Sequence, residues 1–78
     1  MTIPADKEVD TRGTVCPLPI LKAKKALADM TSGQLLKVIA TDPRSMQDFQ
    51  AFARQTGHAL VEQSGNPAGE FVHYLRRR

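Results

Sequence analysis

The chain holds one cysteine, Cys16, in the stretch "TRGTVCPLPILKAKKAL", with Gly13 three positions before it and Pro17 and Pro19 just after. Residue types separate the chemistries open to a lone thiol. A hydrolytic nucleophile needs a base, and the two histidines, His58 and His73, fall on the expected third and fourth strands with no local motif to bring either to Cys16. A zinc site built from one cysteine and two histidines lacks ligand-like spacing, so neither a metal ion nor any other cofactor is expected. The remaining chemistry is carrying. A thiolate that attacks the outer sulfur of a donor persulfide becomes Cys–S–SH, and the donor leaves as its own thiolate. That sulfur then passes to the next acceptor. A second nearby thiol would attack the persulfide, close a disulfide and expel sulfide, so a solitary cysteine suits the task.

The thiol must be positioned by the start of a helix. A residue before proline is pushed toward extended backbone, as an N-cap requires, and Pro17 is harmless at the first helical position because its amide would have no partner there. Pro19 removes another early donor, which leaves the Leu18 N–H as the main one for a cap at Cys16. A loosely held sulfur follows from this. The partial positive charge of a helix N-terminus, with Arg12 and Lys22 nearby, predicts a Cys16 pKa modestly below that of a free cysteine. Free cysteine is commonly a buried core residue, but a loop-to-helix junction with two prolines is an element's end, not an apolar face.

Around this junction the punctuation is regular. "KEVDT" reads as a short strand around Val9, and "RGTV" as a loop in which Gly13 supplies an unusual backbone angle. From Pro17 to about Met30, Ile20, Ala23, Leu27 and Met30 form an apolar stripe at helical spacing, with Gly33 beyond its end. "LLKVIAT" is apolar enough to be the central strand. "DPRSMQDFQAFARQTG" is a second helix, capped by Asp42 or by Ser45 with Asp48, and burying Met46, Phe49, Phe52 and Ala53. "HALVEQ" and "EFVHYLR" are strands joined through "SGNPAG" as a hairpin. The order β-α-β-α-β-β, with right-handed crossovers, predicts a two-layer α/β sandwich: a four-stranded mixed sheet with both helices on one face. The other face, with Val61 or Val72 on it, is left partly bare.

The totals agree with one small domain over residues 1–78. A chain of this length buries only about 60% of the surface its unfolded form exposes. The opening "MTIPADKEVD" is too acidic for a signal peptide, and no apolar run nears the roughly 18 residues of a membrane span, so a cytoplasmic protein with no membrane contact is expected. Eleven Lys and Arg against eight Asp and Glu give a net charge of +3, and part of that excess is the terminal "RRR", read as a solvated tail. Four aromatics and no basic stripe around them argue against direct nucleic-acid binding.

The motif D-x-x-G-x-x-C-P-L-P, at Asp10, Gly13, Cys16, Pro17 and Pro19, resembles the signature of the TusA/SirA-type sulfur-carrier family. "ILKAKKAL", "ATDP", "TGH" and "EFVHYLRR" follow in that family's order, so the resemblance spans nearly the whole chain. It implies a sandwich similar to the C-terminal domain of translation initiation factor three, and a sulfurtransferase acting through a Cys16 persulfide. Implied partners are a cysteine desulfurase or rhodanese-like donor and a downstream sulfur-acceptor protein. Implied destinations are tRNA 2-thiolation, molybdenum cofactor synthesis or sulfur oxidation. Asp10, Gly13, Pro17 and Pro19 would position the thiol, and Asp42 with Pro43 would form a second loop nearby. From the residues themselves, Leu18, Lys22 and Lys25 fall at i, i+4 and i+7 and make, with Arg12, a docking stripe on a protein expected to be monomeric. Two other functions stay open at this point: a non-catalytic regulatory or RNA-binding module, and a redox sensor in which Cys16 oxidises and pairs with a second chain.

Overall fold

The computed structural model describes residues 4–78; residues 1–3, part of the single domain and of the opening segment read above, lie outside the described residues. Six elements follow the expected order: β1 (Lys7–Asp10), α1 (Leu18–Ala28), β2 (Leu35–Ala40), α2 (Ser45–Thr56), β3 (Ala59–Gly65) and β4 (Phe71–Arg76). The sheet order is β1-β2-β4-β3. β1 lies parallel to β2, while β4 runs antiparallel to both β2 and β3, so the sheet is mixed and β2 is central on its parallel side.

Register explains why both helices share one face. Leu36 pairs with Leu75 and Val38 with His73, and this set points one way from the sheet. Leu36, Val38 and Leu75 form one core with Ala23, Ala26, Leu27 and Met30 from the α1 region and Phe49, Phe52 and Ala53 from α2. Residues one step along each strand point the other way, which leaves Val72 half-buried there. Val61, at a register irregularity in β3, is exposed.

Inside this core sits a fully buried histidine. His73 stacks on the Phe49 ring at 4.6 Å, its Nε2 lies 2.9 Å from Ser45 Oγ and its Nδ1 3.0 Å from Gln63 Nε2. The Gln63 amide can only donate, so Nδ1 accepts and the proton resides on Nε2, which donates to Ser45. Burial holds the His73 pKa down to about 4, and the ring is neutral. It ties β4 to the first residue of α2.

Three expectations about element ends are corrected. α1 begins at Leu18, because the Leu18 N–H bonds the Val15 carbonyl at 2.9 Å in a turn that ends at Pro17, the N-cap residue. Cys16 therefore lies one residue outside the cap, and Pro19 is at the second helical position. α2 has no side-chain cap from Ser45, whose hydroxyl is turned to His73. Its lead-in is fixed instead by Asp42 Oδ1, which accepts the Arg44 N–H at 3.0 Å. The terminal arginines are not a loose tail. Arg76 closes β4, the Arg77 N–H donates to the Gln34 carbonyl at 2.8 Å, and the Arg77 carbonyl accepts from Gly33 at 2.8 Å.

Candidate functional site

β1 and β2 are parallel and each feeds a helix, so the C-terminal ends of both strands and the N-terminal ends of both helices meet at one edge of the sandwich. The loop from Thr11 to Pro17 crosses that edge. It is anchored below by Thr11, whose N–H and Oγ1 both donate to the Ile39 carbonyl, at 2.8 and 2.7 Å. Gly13 turns the chain with a φ of 79°, a left-handed value that a side chain resists, and its N–H donates to Thr41 Oγ1 at 2.9 Å. The Thr14 hydroxyl closes the turn on the Thr11 carbonyl at 2.6 Å.

Beyond this turn the Cys16 N–H donates to Asp42 Oδ2 at 2.9 Å, so one carboxylate holds the cysteine backbone with one oxygen and the Arg44 backbone with the other. These two N–H groups, Arg44 first, pull the Asp42 carboxyl below its ordinary range. The Cys16–Pro17 peptide bond is cis. The thiol is exposed at an open depression of about 340 Å³ lined by Val15, Cys16, Asp42 and Arg44.

The electrostatics reverse one sequence expectation. The Asp48 carboxylate, in the first turn of α2, is the main influence pushing the Cys16 thiol pKa up; desolvation and the charge of Asp42 act the same way, and Arg44 opposes them. The helix-dipole argument placed Cys16 at the cap of α1, where positive charge would favour thiolate. One residue farther out, the carboxylates of Asp48 and Asp42 outweigh it. Asp48→Asn removes that negative charge, so alkylation of Cys16 by iodoacetamide at neutral pH is expected to run severalfold faster than in wild type. Equal rates in the two proteins would show that Asp48 does not control the thiol.

Arg12 is also placed differently from the expected docking stripe. Asp10 Oδ1 accepts from its N–H and its Nε, both at 3.0 Å, Asp10 Oδ2 accepts from Nη2 at 2.9 Å, and Glu70 Oε2 accepts from Nη1 at 3.1 Å. The Arg12 guanidinium holds the Asp10 carboxyl down at about 2. This arrangement spans β1, the Cys16 loop and the β3–β4 hairpin, and makes Arg12 a brace with its charge balanced. Leu18, Lys22 and Lys25 do lie on the exposed side of α1. Two apolar residues that sequence reasoning passed over join them: Val15 is 67% exposed and Leu21 52%, beside Leu18 at 45%. Neither histidine serves the thiol. His73 has both ring nitrogens engaged in the core, and His58 lies near Arg78, at the other end of the sheet.

Residues 7–77 match the family model described as sulfurtransferase TusA. The sulfur carrier protein TusA of Allochromatium vinosum is 56% identical over 73 residues, which cover 94% of this chain and 93% of that protein. The sulfur carrier protein TusA of Pseudomonas paraeruginosa is 40% identical over 78 residues, 100% of this chain and 98% of that one. Among solved structures, a SirA-like protein from Desulfitobacterium hafniense superposes with a TM-score of 0.80 at 30% identity, covering 90% of this chain and 95% of that one.

Proposed function

The chain belongs to the TusA sulfurtransferase family of sulfur carriers, and on that premise we propose that Cys16 is the carrier atom's host. It takes sulfane sulfur from a cysteine desulfurase or a rhodanese-like donor and gives it to an acceptor protein. In loading, the Cys16 thiolate attacks the terminal sulfur of the donor persulfide, a new S–S bond forms at Cys16, and the donor departs as thiolate. In delivery an acceptor thiolate attacks the terminal sulfur of Cys16–S–SH, and the Cys16 thiolate is the leaving group. No external electron source is needed in either step.

The observation that carries this reading is the exposure of the sole thiol at the rim of a depression, with an apolar collar of Val15, Leu18 and Leu21 beside it. Such a collar excludes water around the two sulfurs when a partner docks.

Intact-mass spectrometry without reductant, after incubation with a cysteine desulfurase, pyridoxal phosphate and cysteine, tests the assignment. A gain of about 32 mass units per sulfur, reversed by a thiol reductant, is expected. With one cysteine in the chain the gain has one address. No gain with desulfurase or rhodanese-like donors would remove the carrier role of Cys16.

Docking is assigned to Val15, Leu18 and Leu21 with Lys22 and Lys25, while Arg12 serves the loop. Reversing both lysines to glutamate is expected to slow loading about three- to tenfold at low ionic strength, with the difference fading as salt rises. An unchanged rate at low salt would mean the lysines are only a solvated helix face.

A further inference from the structure

At the end of the sandwich away from Cys16, a second cleft of about 180 Å³ opens between the C-terminal half of α1 and the last residues of the chain. It is lined by Lys24, Leu27, Ala28, His58, Arg77 and Arg78. We propose that this cleft is a binding site for a phosphate group, with Lys24, His58, Arg77 and Arg78 as its donors.

The location is separate from the thiol by the logic of the sheet. Arg76 pairs with Leu35 at the start of β2, whereas Cys16 is held by Asp42 beyond the end of that strand. The cations are built in, not merely strung along a tail. Arg77 Nε donates to the Met30 carbonyl at 3.2 Å, and Arg77 Nη1 to the Arg78 backbone oxygen at 2.9 Å, which leaves Nη2 for a ligand. The Arg78 N–H donates to His58 Nδ1 at 3.2 Å, so the neutral ring carries its proton on Nε2 as a further donor. The Phe52 ring lies 5.9 Å from that of His58 and supports it. Gly57 leaves space for Arg78, since a Cβ there would meet Arg78 Cδ at 3.4 Å.

Charge balance points to an anion. Lys7, Arg12 and Lys37 pair with aspartate or glutamate, but among the described residues Lys24, Arg77 and Arg78 have no such partner, and no aspartate or glutamate lines the cleft. These three cations leave a surplus of positive charge around the cleft. The surplus is felt by His58, whose pKa is lowered by burial first and then by Arg77 and Arg78. A water molecule occupies about 30 Å³ of liquid, so the cleft has room for a tetrahedral oxyanion with a few waters. Guanidinium groups recognise such oxygens through paired N–H donors. The phosphate could belong to a small free anion or to a nucleic-acid backbone, and the test separates the two.

The test follows the His58 ring by NMR in the full chain, during titration with inorganic phosphate at constant ionic strength. A saturating shift at roughly 1–10 mM is expected, in the range of weak anion sites, with the His58 pKa moving up as the anion offsets Arg77 and Arg78. Lys24→Gln and Arg78→Gln, both at exposed positions, are expected to weaken binding about fivefold or more, and Lys37→Gln, outside the cleft lining, to leave it unchanged. A parallel titration with a short oligouridylate identifies the source: saturation at lower concentration than phosphate assigns the cleft to a nucleic-acid backbone, and the reverse order to a free phosphate compound. A shift that grows without saturating for both ligands, or that saturates equally in Lys24→Gln and Arg78→Gln, overturns the site.

Discussion

Cys16→Ser is expected to fold as well as wild type and to take up no sulfur. The first half follows from what the thiol touches. It is exposed, and the tie that fixes its position, from the Cys16 N–H to Asp42, belongs to the backbone and survives the exchange. A surface exchange of one heavy atom that breaks no packing is worth within about 0.5 kcal/mol. The second half follows from nucleophilicity: a serine hydroxyl stays protonated at neutral pH, a carboxylate is too weak a base to change that, and His58 and His73 are both engaged elsewhere. Mass spectrometry after incubation with a loaded donor should show no adduct, and thermal melting should coincide with wild type. An adduct of persulfide mass on the serine variant would place the carrier group away from residue 16. A large loss of stability would mean that the thiol packs in a way its exposure denies.

The contrast between the thiol's surroundings and its sequence neighbourhood shows what was legible and what was not. Periodicity located α1 and α2 to within a few residues because each helix buries one stripe, Ala23, Leu27 and Met30 on the first and Phe49, Phe52 and Ala53 on the second. The apolar run of β2 and the Gly-, Asn- and Pro-rich connection before β4 were equally plain, since they depend on local pattern alone. The motif likewise led to the loop that carries Cys16. The resemblance put Asp42 and Pro43 in a loop near it, but the contacts of the Cys16 loop with Asp42, Thr41 and Asp48 were not visible, because those residues are distant in the sequence.

Asp48 and Asp42 reach the cysteine, and Thr41 reaches Gly13 in its loop, only once β1 and β2 lie side by side, and Glu70 reaches Arg12 only once the hairpin folds back. A topological signal was present all the same. Two consecutive parallel β-α units must bring both helix N-termini to the same sheet edge. Acidic residues at the start of the second helix were therefore bound to face a thiol at the start of the first. The expected low pKa considered α1 by itself, and the charge balance was decided by α2. The terminal arginines failed the same way: charge suggested solvent, while the hydrogen bonds of Arg77 to Gln34, Gly33 and Met30 required the strand above them to be placed.

Phe49→Ala is expected to bring the domain close to unfolding. Phe49 is fully buried, stacks on His73 at 4.6 Å and meets Phe52 edge-on with centroids 6.2 Å apart. Truncating a buried phenylalanine costs about 3–5 kcal/mol through lost apolar burial and the cavity left behind. The upper part of that range is expected here, because the cavity would open against a neutral histidine whose ring has no other stacking partner among the described residues. A chain of this length holds only about 4–12 kcal/mol in total, at roughly 0.05–0.15 kcal/mol per residue. The midpoint of urea unfolding should fall steeply, with the slope unchanged. The damage should also reach the site, since Phe49 seats the helix whose start presents Arg44 and Asp48 to Cys16. In the fraction still folded, Cys16 alkylation at neutral pH should move toward the faster rate of Asp48→Asn. A loss below about 1 kcal/mol would contradict this packing, because a core that closes over so large a void would have to be far more plastic than close-packed interiors are.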